Sequence, residues 1–195
     1  MHKVVALTLV AGSVILAGAV PAIADEGGRQ LERDDSPRAA QIVALDECDP
    51  QTFNPALGEL GTGFCHNVTL YGLGLGFEVP LDVLVHEADS GTPDPGWDFE
   101  PDDLTIQRGT TLSVVDQGGE PHTFTEVAQF GGGFVPALNH GQATVPECAG
   151  GFSNVAVART RILQGSRLDV IGLSKGKHLF QCCIHPWMHV EVDVK

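Results

Sequence analysis

Basic residues are scarce in this 195-residue chain: 11 Lys and Arg stand against 25 Asp and Glu, a net charge of −14. A nucleic-acid binder needs a basic footprint to neutralise phosphates, so that class is excluded. After Ala24 no apolar run approaches the roughly 20 residues that a membrane-spanning helix requires. No repeat of about 20–50 residues is visible, which argues against a propeller or solenoid. The run Phe130-Gly131-Gly132-Gly133-Phe134 lacks the lysine and helix start of a phosphate loop, and reads as a flexible loop instead.

The chain starts Met1-His2-Lys3, followed by an apolar run from Val4 to Val20 and then Ala22-Ile23-Ala24. A short basic start, an apolar middle and a small-x-small exit predict a secretory signal peptide over 1–24, cut after Ala24. The alternative is a membrane anchor, for which the run is slightly short. With Lys3 removed, the mature chain carries 10 basic and 25 acidic residues, or −15. It is expected in the periplasm or outside the cell. Residues 25–45 open on DEGGRQLERDDSPRAAQ, too charged to offset their ordering entropy by burial, and predict a flexible tail.

Residues 46–96 predict a loop-rich or short-helix cover. Leu81, Leu84, Val85 and Ala88 fit one helical face, with Pro80 suited to a first turn, although Val79, Leu81, Val83 and Val85 also fit a strand. SGTPDPG over 90–96 breaks the chain. From 97 to 195 the signals are β: Leu104–Gln107, Thr110–Val115, Pro121–Val127, Arg167–Ile171, Lys177–Cys182 and the alternating Val190–Val194, separated by Arg108-Gly109, Gly118-Gly119 and Ser174-Lys175-Gly176. Short strands punctuated by turns indicate an all-β domain, a sandwich or barrel.

Five cysteines in an exported chain suggest disulfides, and an odd count leaves one thiol for other work. The run Phe180-Gln181-Cys182-Cys183-Ile184-His185-Pro186-Trp187-Met188-His189 places a thiolate, an imidazole and a thioether at Cys-x2-His-x2-Met between two predicted strands. One tight loop can turn all three toward a point. With a second imidazole they make the His2Cys set with a weak axial Met that suits a mononuclear blue-copper centre. Soft sulfur favours Cu(I) and imidazole accepts Cu(II), so the mixed set holds both states. His122, opening a strand after the Gly118-Gly119 turn, is the candidate second imidazole.

On these residues the chain resembles the cupredoxins, and the amicyanin and plastocyanin types in particular. There a first His begins a strand and a C-terminal Cys…His…Met loop closes the site. The resemblance covers 97–195 and implies a Greek-key β-sandwich, with copper held by His122, Cys182, His185 and Met188. The Cys182–Met188 loop, with Pro186 after the histidine, is similar to the short amicyanin form. Three departures stand out: Cys183 beside the ligand cysteine, His189 beside Met188 as a competing axial donor, and the added 46–96 segment. Adjacent cysteines cannot form a binuclear copper site, which needs them three residues apart. Zinc can use the same donors, but paired Cys-x2-Cys or His-x3-His spacings are absent. A plain disulfide role for Cys182 is the bland alternative.

The resemblance implies a one-electron carrier. His185 is then expected at an edge where a redox partner with a basic docking surface meets it, beside Pro186 and Trp187. The competing reading is copper trafficking, storage or sensing, which Cys183 and His189 would serve as extra donors. The His-x-His and His-Cys-His patterns of copper oxidases and nitrite reductases are missing, so no enzyme is expected, and the mature chain is expected to be monomeric. With Cys182 on the metal, Cys48, Cys65, Cys148 and Cys183 allow three pairings. The nearest pair is Cys48 with Cys65, which leaves Cys148 for Cys183; neighbouring strand residues face opposite ways, so Cys183 would point away from the metal. A buried free Cys183 is the alternative. His66, His86, His140 and His178 are isolated and read as surface or structural residues, and Asn67-Val68-Thr69 matches a glycosylation sequon.

Overall fold

Inward and outward side chains alternate along the strands and stack two sheets on one core. The computed structural model describes residues 39–56, 64–66 and 78–195. The predicted signal peptide and the Asn67 sequon lie outside them. In the first sheet β4 (Thr111–Asp116) turns Leu112, Val114 and Asp116 inward. It runs parallel to β1 (Ala39–Leu45) on one side and antiparallel to β8 (Arg167–Val170) on the other, while β2 (Asp98–Glu100) pairs antiparallel with the far edge of β1. The order is β2-β1-β4-β8.

The second sheet is β3-β10-β9-β6, where β3 is Asp103–Ile106, β6 Thr125–Val127, β9 Gly176–Gln181 and β10 His189–Val194. Val190, Val192 and Val194 of β10 face inward, as their alternation predicts. A two-stranded ribbon joins β5 (His122–Thr123) to β7 (Arg161–Ile162). Ile42, Phe99, Leu112 and Val114 of one sheet meet Ile106, Phe180, Val190 and Val192 of the other in a single apolar cluster, so the architecture is an all-β sandwich. Within it Phe180 stacks on Phe124 at 4.4 Å between centroids, and Phe99 stands edge-on to both Phe124 and His122. This aromatic column ties the core to the site.

One boundary is corrected. Residues 39–45, expected to end the flexible tail, form β1, because Ala40, Ile42 and Ala44 alternate and pair in register with β4. The dense charge just upstream hid that short alternation.

The cover carries two helices. α1 (Pro50–Ala56) starts where the Asp49 carboxylate accepts the Gln51 N–H, with Pro50 in the first turn and Phe53 buried. α2 (Leu81–Ser90) settles the strand–helix ambiguity in favour of the helix. It buries Leu84 and Ala88, and Gly91 closes it in the left-handed conformation at φ 75°. Among the described residues no helix is long and apolar enough to cross a membrane.

The glycine-rich loop packs against the ligand loop. Phe134 N–H donates to the Cys183 carbonyl at 2.8 Å, and a Cβ on Gly133 would stand 2.1 Å from that oxygen. Gly133→Ala should therefore destabilise the metal-free protein by about 1–3 kcal/mol in urea unfolding. An unchanged midpoint would mean the loop is not held there.

Candidate metal centre

His122 opens β5, directly after a turn whose glycines lie against the start of the cover. Cys182 follows the last residue of β9, and His185 and Met188 occupy the connection to β10. Two backbone bonds close that connection: Met188 N–H donates to His185 C=O at 3.0 Å, and Cys182 N–H to Met188 C=O at 2.9 Å. The four predicted ligands are buried, with His185 the most exposed at 2%.

Donor atoms of His122, Cys182 and His185 lie within 4.8 Å of one another. Cys182 Sγ and His122 Nδ1 are 3.8 Å apart. Metal–sulfur and metal–nitrogen bonds of about 2.3 and 2.0 Å, opened to about 120°, span such a distance. Each imidazole has a carboxyl group at its other nitrogen: His122 Nε2 is hydrogen-bonded to Asp46 Oδ2 at 2.8 Å, and Glu120 Oε2 lies 3.2 Å from His185 Nε2 without hydrogen-bond geometry. His185 Nδ1 is buried without any partner. A buried, unpartnered nitrogen beside a thiol, with a carboxyl group against its sister nitrogen, is what a metal ligand looks like before the metal. The Thr123 N–H points at Cys182 Sγ from 3.5 Å, a donor suited to a thiolate.

The electrostatics agree. Burial works against a Cys182 thiolate, but the contact with His122 and the positive charge of His122 and His185 outweigh it and hold the thiol well below its ordinary range. Burial also opposes the charged imidazoles, yet Asp46 and Cys182 raise His122 well above its usual value, and Cys182 and Glu120 raise His185 to about 9. Negative charge on the sulfur and positive charge on the rings thus favour one another in the metal-free site, and a bound cation would take the place of ring protons.

Three buried carboxyl groups surround the donors, and no pattern in the sequence marks them. Burial pushes Asp46 up, but His122 and the backbone N–H groups of Glu120 and Cys48 outweigh it and leave Asp46 below its usual value. Burial raises Glu120, and His185 only partly offsets that. Asp116, the last inward position of β4, rises to about 7, chiefly through burial; its Oδ1 accepts the Gly118 N–H and its Oδ2 has no partner. Between about pH 4 and 7 the folded state keeps a proton that the unfolded chain has released, so stability falls as pH rises through that window. Asp116→Asn keeps the Gly118 bond and removes the slope. It should gain up to about 4 kcal/mol over the unaltered metal-free protein at alkaline pH and little below pH ~4, by urea unfolding at both. An equal difference at both pH values would contradict this account of Asp116.

One expectation about placement is corrected. His185 is not at an exposed edge: Trp97 and Trp187 flank its ring at 6.3 and 5.4 Å, and Phe53 of α1 stacks on Trp97. The cover closes over the side where the short loop alone would leave the imidazole open. His189 is exposed and stacks on Phe130 at 4.4 Å, facing away from the buried Met188. Cys183 is bonded to Cys148, and Cys48 to Cys65, which leaves Cys182 as the free cysteine. Cys182 belongs to the main core and Cys183 to a separate cluster with Val127, Val145 and Val157, on opposite sides of the chain as expected. His178 pairs with Glu126, and His140 Nδ1 lies against the Asp89 carbonyl.

No protein-family model and no curated protein matches the chain. Among solved structures it is similar to a purple cupredoxin from Nitrosopumilus maritimus, at 19% identity and TM-score 0.34, over 52% of this chain and 86% of that one. It is also similar to an amicyanin mutant in the Cu(I) form, at 16% identity and TM-score 0.33, over 50% of this chain and 73% of that one. A reduced tyrosine-substituted amicyanin gives 17% identity at the same TM-score and coverage.

Proposed function

We propose that the chain is an exported type 1 copper protein that carries one electron, in which His122, Cys182 and His185 would be the strong ligands and Met188 a weak fourth. The observation that carries this reading is the unpartnered, buried Nδ1 of His185 beside the Cys182 thiolate and His122 Nδ1. Copper would supply the Cu(II)/Cu(I) couple. The chain supplies a dry, prefixed donor set: two backbone hydrogen bonds shape the ligand loop, and the Cys148–Cys183 disulfide anchors its start.

Copper trafficking, storage or sensing is the less favoured reading. Its extra donors are engaged elsewhere, Cys183 in a disulfide and His189 against Phe130. Two disulfides are consistent with an oxidising compartment, periplasmic or extracellular. The partner we propose is a redox protein with a basic face, steered by the chain's net charge of −14. Half-buried Trp187 stands between its approach and His185.

Voltammetry of the copper-loaded protein tests the reading. A reversible one-electron wave is expected, and Met188→Leu should keep the copper and raise the potential, since loss of a weak donor relatively favours Cu(I). Copper that binds but exchanges no electron reversibly would favour storage. A larger spectral change from His189→Ala than from Met188→Leu would refute the axial assignment.

A further inference from the structure

We infer that Asp46 and Glu120 are a matched pair of positioning residues, one behind each histidine, that bias the metal toward Cu(II). The inference rests on the copper reading above. Each carboxyl group reaches the Nε2 of one imidazole, Asp46 at 2.8 Å from His122 and Glu120 at 3.2 Å from His185, and all four side chains are at most 2% exposed. The hydrogen bond fixes Nε2 of His122 as the hydrogen-bearing nitrogen and turns its Nδ1 to the metal, while Glu120 stands against His185 Nε2 as a charge without hydrogen-bond geometry. A carboxylate behind a ligand imidazole makes that ring a stronger donor. Negative charge held so close in a dry interior favours the dication over the monocation.

The two groups are built as one unit. Asp46 Oδ2 accepts the N–H of Glu120 itself at 3.0 Å, and Asp46 Oδ1 accepts the Cys48 N–H at 3.2 Å. A Cβ on Gly118 would lie 1.9 Å from Asp46 Oδ2, so the turn before His122 admits the carboxylate only because residue 118 has no side chain. A Cβ on Gly119 would strike Cys48 Sγ at 2.6 Å and the His66 carbonyl at 2.5 Å, while His66 N–H donates to the Gly119 carbonyl at 2.8 Å. The Cys48–Cys65 bridge thus clamps the start of the added segment onto the Gly118-Gly119-Glu120 turn. The cover thereby delivers Asp46 to the site and dries both carboxyl–imidazole pairs.

Asp46→Asn and Glu120→Gln keep the side-chain shapes and remove the charge. In the copper-loaded full chain, each should shift the ratio of Cu(I) to Cu(II) affinity toward Cu(I), Asp46→Asn by about tenfold or more, a rise of about 59 mV for one electron. Glu120→Gln should do less, because its contact is longer. The double variant should exceed either. Ring 15N spectra of the Cu(I)-loaded protein should show His122 Nε2–H donating to Asp46, and that N–H resonance should move upfield in Asp46→Asn, where a neutral acceptor replaces the carboxylate, a change that a merely structural role would not produce. If Asp46→Asn fails to fold, Glu120→Gln alone still decides. Unchanged or lowered potentials in the folded variants, with the visible spectrum intact, would overturn this inference and leave the copper site standing. An unaltered chain that binds no copper would instead overturn the copper reading itself.

Discussion

Replacing Cys182 with serine should bleach the copper protein. The thiolate is the only soft anion among the buried donors of His122, Cys182 and His185, and the visible thiolate-to-copper band depends on it. Serine is close in size and can still accept the Thr123 N–H, so the fold should survive. Essentially all of the visible band should go, and Cu(I) affinity should fall by orders of magnitude while the metal-free chain still folds. A variant that keeps both colour and copper would remove Cys182 from the site. The same test separates copper ligation from a packing role, since a packing role would show in the midpoint and not in the spectrum.

Opening the Cys148–Cys183 bridge should have the largest effect on stability. It links cysteines 35 residues apart, and closing such a loop contributes about 3–4 kcal/mol in the chain-entropy model. The Cys148→Ala, Cys183→Ala double variant should lose about that much in urea unfolding. The Cys48–Cys65 bridge spans 17 residues and should contribute slightly less, about 3 kcal/mol. The first bridge also has a local consequence. Cys183 adjoins Cys182, its N–H donates to Thr123 Oγ1 at 2.7 Å, and its carbonyl accepts from Phe134. Loosening it should broaden the copper spectrum as well. A loss under about 1 kcal/mol with an unchanged spectrum would show that packing of Val127, Val145 and Val157 holds the loop without the bridge.

Much of this site could be read from the chain because it is local. Cys182, His185 and Met188 lie within one loop, and the alternation of Val190, Val192 and Val194 marks the strand that follows. The pairing of four cysteines is expected from joining the nearest two, Cys48 and Cys65, and alternation at the 182–183 step turns Cys183 away from the metal toward Cys148. Long-range partners left no such trace. Asp46 is 76 residues from His122, and nothing in its neighbourhood distinguishes it from a solvated loop acid. Glu120 stands two residues before a candidate ligand, yet its burial depends on a cover that periodicity does not place.

The same holds for His185. Its loop resembles one that presents an imidazole to solvent, and only the packing of Phe53 and Trp97 shows otherwise. α1 could have been read from Asp49-Pro50, an N-cap followed by a first-turn proline, despite Pro55 inside the helix. β2 and β7, of three and two residues, are too short for any period to show.

The visible spectrum of the purified mature protein with one equivalent of Cu(II) tests the central claim most directly. His122, Cys182 and His185 around one ion predict an intense thiolate-to-copper charge-transfer band that saturates at one copper per chain and disappears on reduction. A weak spectrum free of charge-transfer intensity, with Cys182 still reactive toward thiol reagents in the copper-treated protein, would contradict it.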